Sequence, residues 1–102
     1  MIDLDLINSK PIEIKFNGNM VKLNQPTFAL SKKVRAFEKN VSQMQEEEIY
    51  KEQSDILLKF LNNNSSSKKF ADKDIDSISF SGIKALYNAL ISAIVGIETD
   101  PN

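Results

Sequence analysis

Residues 12–23, Ile-Glu-Ile-Lys-Phe-Asn-Gly-Asn-Met-Val-Lys-Leu, constrain this chain more than any other stretch. Asn17-Gly18 suits a two-residue type I′ turn, because both central positions of that turn need φ > 0. With the turn there, Phe16 faces Asn19, Ile14 faces Val21, Glu13 faces Lys22 and Ile12 faces Leu23. The apolar pairs share one face of the ribbon and the opposite charges share the other. A two-stranded ribbon is marginal alone in water, so the apolar face requires a cover. The rest of the chain reads mainly as helix. The expected fold is therefore α+β, with an N-terminal β-hairpin packed on about three α-helices.

Upstream, Ile2, Leu4 and Leu6 alternate with Asp3 and Asp5, the period of a short strand. Residues 8–11 break the pattern, and Pro11 suits the start of a strand because it has no N–H to give. Two readings follow: a third strand beside the hairpin, or an arm. Downstream, Pro26 ends the hairpin region and suits the approach to a helix. Leu30, Val34, Phe37, Val41 and Met44 then recur at spacings of four and three, one face of a first helix. The stripe stops at Met44. Ser42 as N-cap with Gln45 in a capping box starts a second helix, with Glu46, Glu47 and Glu48 favoured in its first turns by the helix dipole. That helix runs to about Leu61, with Ile49, Ile56, Leu57, Phe60 and Leu61 on its apolar side. A single helix bent near Met44 is the competing reading.

Residues 62–69, Asn-Asn-Asn-Ser-Ser-Ser-Lys-Lys, are too polar to offset the cost of ordering and read as a flexible loop. A last helix follows, with Ser79 or Ser81 as N-cap, Gly96 as stop signal and Pro101 beyond it. Its apolar residues cover more than half of its circumference, so it is either the central helix or shared with a partner. The whole chain reads as one domain: a hairpin region (1–24), a helical region (27–61), the polar loop (62–69) and a C-terminal apolar helix region (72–97).

Composition narrows the function. The 102 residues carry 13 basic and 14 acidic side chains, a formal net charge of −1, without the basic surplus usual in nucleic-acid binders. Cysteine, histidine and tryptophan are absent. Without Cys and His the chain lacks the usual zinc ligands and the side chain best suited to proton transfer near neutrality. The most apolar run, residues 83–97, is too short and too interrupted to span a bilayer. The N-terminus is acidic where a signal peptide is basic. These features point to a cytoplasmic protein with no membrane partner, no cofactor, no metal site and no enzymatic activity.

Individual clusters read the same way. Asp72, Asp74 and Asp76 begin like a calcium loop, but the sixth position is Ser77 rather than Gly and the twelfth is Ile83 rather than Glu. They read instead as acidic residues at a helix N-terminus. Glu46, Glu47 and Glu48 point about 100° apart on a helix and do not converge on one ion. The serines at 65–67 have no histidine to activate them. Lys32, Lys33, Arg35 and Lys39 form a basic edge without interleaved aromatics for stacking on bases. The apolar excess on the last helix points to self-association or to binding of a partner helix.

The order of features resembles a known family. A short apolar start is followed by the hairpin Ile-Glu-Ile-Lys-Phe-Asn-Gly, a charged helical middle, a polar gap, an apolar C-terminal helix and the polar close Ile-Glu-Thr-Asp-Pro-Asn. This layout looks like the small tail assembly chaperones of long-tailed bacteriophages and prophages of Gram-positive hosts. The resemblance implies a non-enzymatic, oligomeric protein in the host cytoplasm. Its partners would be the helical tape measure protein, which it keeps soluble, and the tail tube subunits, whose assembly it assists. It carries over no catalytic residues. The expected contact surface is Ile83, Leu86, Leu90, Ile94 and Ile97, with Phe37 and Val41 from the first helix. Two other functions fit the sequence: a small regulator touching nucleic acid through the basic edge, and a structural tail or head-joining component of the virion.

Overall fold

The computed structural model describes residues 1–4 and 10–99, the side chains of 97–99 excepted. Strands β1 (Ile12–Phe16) and β2 (Asn19–Leu23) form an antiparallel hairpin. Helices α1 (Phe28–Asn40), α2 (Glu46–Asn62), α3 (Asp72–Asp76) and α4 (Phe80–Thr99) follow, with a 3₁₀ turn at Val41–Gln43 between α1 and α2. The α+β architecture expected from the sequence is present, and α3 is a single additional turn.

The hairpin has the register that the Asn-Gly turn dictates. Ile12 pairs with Leu23, Glu13 with Lys22, Ile14 with Val21, Lys15 with Met20 and Phe16 with Asn19. Asn17 and Gly18 have φ of 50° and 82°, the left-handed values a type I′ turn demands. Among the described residues the sheet has two strands, and Ile2 and Leu4 lie exposed outside it. The expected strand position Leu6 lies outside the described residues.

The helix that organises the core is α2. It packs against α1, β2, α3 and α4. Ile56, Leu57, Phe60 and Leu61 are fully buried and form two adjacent rows along it. Leu30, Val34 and Phe37 of α1 cover one side with Val21 and Leu23 of β2, while Leu86, Leu90 and Ile94 of α4 complete the cluster. The last helix is therefore not the central one.

Local signals set the helix ends. The Thr27 hydroxyl accepts from the Leu30 amide and starts α1. The α1 stripe ends in the 3₁₀ turn, and Met44 is extended (ψ 149°), so the chain turns rather than bends. The N-cap of α2 is Gln45, not Ser42. The Glu48 carboxylate accepts from the Gln45 amide, while Ser42 lies inside the 3₁₀ turn. Ser79 caps α4, its hydroxyl accepting from the Gly82 amide at 3.0 Å. Gly96 does not stop α4, which continues to Thr99.

The polar stretch after α2 is more organised than its composition suggests. Asn62 clasps the backbone of Phe70, accepting from its amide at 2.7 Å and donating to its carbonyl at 3.1 Å. Asn63 pairs with Asn24 through both backbone and side chain, each at 2.8 Å. Asn64 accepts from the amides of Ser66 and Lys68 and donates to the carbonyls of Leu61 and Lys68. The side chains of Asn62 and Asn64 thus hold backbone segments, and Asn63 ties the loop to Asn24 through its own carbonyl and its side chain, so the flexible loop of the sequence reading is a built connection here. Asn62→Ala should lower unfolding stability by about 1–3 kcal/mol, because the buried Phe70 loses both polar partners. Ser66→Ala, at an exposed position, should stay within about 0.5 kcal/mol. Urea denaturation of both variants checks the contrast, since an unstructured linker makes the two equally silent.

Candidate partner-binding groove

The two edges of the hairpin meet different surroundings. On β2 the Lys22 carbonyl accepts from the Ser65 amide, the Asn24 amide donates to Asn63, and Leu23 bridges Asn64. These contacts cover the C-terminal end of that edge. They also establish which residues point outward, because in an antiparallel pair alternate residues turn their backbone groups away from the partner strand. Lys22 points outward, so its partner Glu13 does too, and so does Lys15 two residues on. Among the described residues no backbone group meets this outer edge of β1.

Below that edge lies an apolar groove of about 290 Å³. Ile14, Lys15 and Phe16 of β1 line one side, Leu61 and Leu86 the base, and Ile78 together with Gly82, Ala85 and Ala89 of α4 the other side. Phe16 is held by an edge-on contact with Phe70, ring centroids 5.4 Å apart. Gly82 lets Ile78 pack closely against α4, since a Cβ there would lie 2.6 Å from Ile78 Cγ2 and the side chain would have to shift. The small side chains keep α4 from filling the space beside β1.

Of the seven sequence-predicted contact residues, the six whose side chains are described do not form an exposed surface. Phe37, Leu86, Leu90 and Ile94 belong to the core of the single chain, Leu90 at 0% exposure. Val41 and Ile83 are half-buried and pack on that core. The side chain of Ile97 lies outside the described residues. The reason is the width of the cover. Ile83, Leu86, Tyr87, Leu90, Ile91 and Ile94 make one continuous stripe on α4, and this face packs against the core cluster. Leu86 alone also reaches the groove. Of the residues that line the groove, only Leu86 was among the expected contacts; Gly82, Ala85 and Ala89 went unnoticed, although they already stand at helical spacing in the sequence.

Charged groups are spent on holding helices together. Lys33 of α1 reaches Glu52 at 2.6 Å and Asp55 at 3.1 Å on α2, and Lys59 reaches Asp55 at 3.3 Å. The bond from Lys33 holds the Asp55 carboxyl below its ordinary value, and the Glu52 and Asp55 carboxylates hold the Lys33 ammonium above its own. The basic edge of α1 is thereby interrupted, and Lys32 lies over the Phe28 ring, 4.8 Å from its centroid. The Tyr87 hydroxyl is shielded from solvent with no hydrogen-bond partner among the described residues. Burial, with the nearby Glu38 carboxylate, keeps it protonated well above the ordinary phenol range. Asp74 accepts from the Ala71 amide at the start of α3. Among the described residues no group of three or more acidic side chains is arranged to hold a metal ion, and no helix is long and apolar enough to cross a membrane.

Comparison with protein-family models, with curated proteins and with solved structures finds no match for this chain.

Two outcomes follow from this arrangement. Leu90→Ala should destabilise the isolated protein by about 2–5 kcal/mol, whereas Val95→Ala, on the exposed side of α4, should change it by about 0.5 kcal/mol or less. Chemical denaturation distinguishes this from a contact-surface role for Leu90. The ion pairs predict a pH dependence. A carboxyl whose folded value is depressed contributes stability that is present above its unfolded value and lost as pH falls through the folded one. The stability gap between wild type and Asp55→Asn should therefore be largest near neutrality and shrink as pH drops below 3.8, measured by urea midpoints across the acid range.

Proposed function

We propose that this chain is a non-enzymatic protein-binding domain that receives apolar side chains of a partner in the groove between β1 and α4. The observation that carries this reading is the groove itself: mainly apolar, with Lys15 at its margin, and bordered by backbone groups of Glu13 and Lys15 that no described residue meets. Recognition of this kind combines apolar pockets with main-chain or helix contacts. The sequence layout extends the reading to a tail assembly chaperone acting in the host cytoplasm. Its partner would be the long helical tape measure protein, with tail tube subunits assisted in turn. Weak contacts repeated along such a partner become strong through multivalency.

The test is co-production with a long, apolar helical polypeptide of the tape measure type, followed by co-elution and light scattering. The wild-type chain should hold the helix in solution as a mixed complex. Ala85→Glu places a charge on the groove wall at an exposed helical position and should release it. A wild-type chain that leaves the helix to precipitate alone overturns the reading.

A further inference from the structure

We propose that two copies of this chain pair edge to edge through β1, antiparallel, with Ile14 on the two-fold axis. The inference concerns the strand edge and holds whether or not the groove receives a helical partner. The apolar face of the hairpin is unevenly covered. Val21 and Leu23 of β2 are 1% and 0% exposed, whereas Ile12, Ile14 and Phe16 of β1 are only half-buried. On the same strand the outward backbone groups of Glu13 and Lys15 meet no described residue. The β1 edge thus lacks both a bonding strand and part of an apolar cover. A second β1 supplies both.

Hydrogen bonding and charge select one register. In an antiparallel pair, outward-facing residues stand opposite one another and exchange their backbone bonds. Glu13 opposite Glu13 would set Pro11 opposite Lys15, and Pro11 has no N–H to give. Lys15 opposite Lys15 would set Glu13 opposite Asn17, which the turn holds at φ 50° rather than extended. Both registers also place like charges face to face, which is destabilising. Glu13 opposite Lys15 of the second copy has neither fault. Each outward N–H and C=O of the two residues is then bonded, and each carboxylate faces an ammonium. On the other face Ile14 meets Ile14, and Ile12 meets Phe16 of the second copy. One strand is therefore complementary to itself in backbone bonds, in charge and in apolar contact. Gly82, Ala85 and Ala89 of α4, beside this edge, present little bulk to the incoming chain. Pairing uses the β1 edge of both copies, so the assembly closes at two.

The wild type should sediment and scatter light as a dimer. Within its own hairpin Lys15 faces Met20, so Lys15→Glu leaves the ribbon free of a new like-charge pair while setting Glu13 against a carboxylate twice across the axis. It should raise the dissociation constant of the dimer about tenfold or more, with an unchanged circular dichroism spectrum, and Lys15→Arg should pair as the wild type does. The chain has no cysteine, so introduced thiols report the register. Residues opposite each other at a bonded position lie roughly 5.5 Å apart at Cα, within the range of roughly 4.4–6.8 Å that a disulfide accepts. An equimolar mixture of Glu13→Cys and Lys15→Cys chains should oxidise to a mixed dimer of twice the chain mass, and either variant alone should link far less. A wild type that stays monomeric at every concentration overturns the pairing. So does self-linkage of either variant equal to that of the mixture. The two proposals fail separately. A monomer that still holds the helix in an Ala85-dependent way sinks the pairing and leaves the groove reading standing. A dimer linked through positions 13 and 15 that ignores the helix does the reverse.

Discussion

The structure depends on the burial of two adjacent rows of side chains on one helix. Ile56, Leu57, Phe60 and Leu61 each lose all contact with water, and complete burial of such a side chain is worth about 1.5–3 kcal/mol. Together they contribute an amount of the same order as the net stability of a small domain, about 5–15 kcal/mol. Two rows rather than one let α2 accept α1 and β2 along with α4. The ion pairs from Lys33 and Lys59 to Glu52 and Asp55 reinforce the same helix from its partly exposed flank. Their geometry matters more than their strength, since exposed pairs contribute little individually.

This arrangement explains which parts of the fold were legible in the sequence. The hairpin register follows from Asn17-Gly18 and a strict period of two, both of which are local, and it appears residue for residue. The stripe Leu30, Val34, Phe37 and its interruption near Met44 are also local patterns. The role of α4 was not legible, because an apolar count says how much surface a helix must bury and not how wide a cover it will meet. Six residues in one stripe look excessive until the hairpin, α1 and α2 stand around them. Phe37 touching Tyr87 edge-on at 6.4 Å shows that cover reaching across from α1.

The asparagine tract failed for a different reason. Composition treats Asn62, Asn63 and Asn64 as equivalent and unable to bury apolar surface, which is true and insufficient. A side-chain amide can both donate and accept, so Asn62 and Asn64 stand in for missing backbone partners, while Asn63 pairs with the side chain of Asn24. The targets, Phe70, Asn24 and Lys68, are set by tertiary placement and carry no sequence periodicity. The groove was hidden by the same mixture of scales. Gly82, Ala85 and Ala89 show at helical spacing, but small residues acquire meaning only when an unfilled strand edge lies opposite them.

The hairpin treats its two edges unequally, and that asymmetry bears on function. An exposed strand edge templates pairing with other chains, and proteins normally cover or shorten it. Here the loop after α2 covers the C-terminal end of β2 with several backbone contacts, at the expense of ordering a polar segment. The β1 edge instead is five residues long, ends at Pro11, and carries Glu13 and Lys15 on its solvent face. Its length and bounds limit any added strand to a few residues, which disfavours open-ended sheet growth. The opposed charges make the choice of added strand depend on where that strand carries its own. Covering one end of the β2 edge while keeping the β1 edge short and charged disfavours open-ended aggregation through either side of the hairpin.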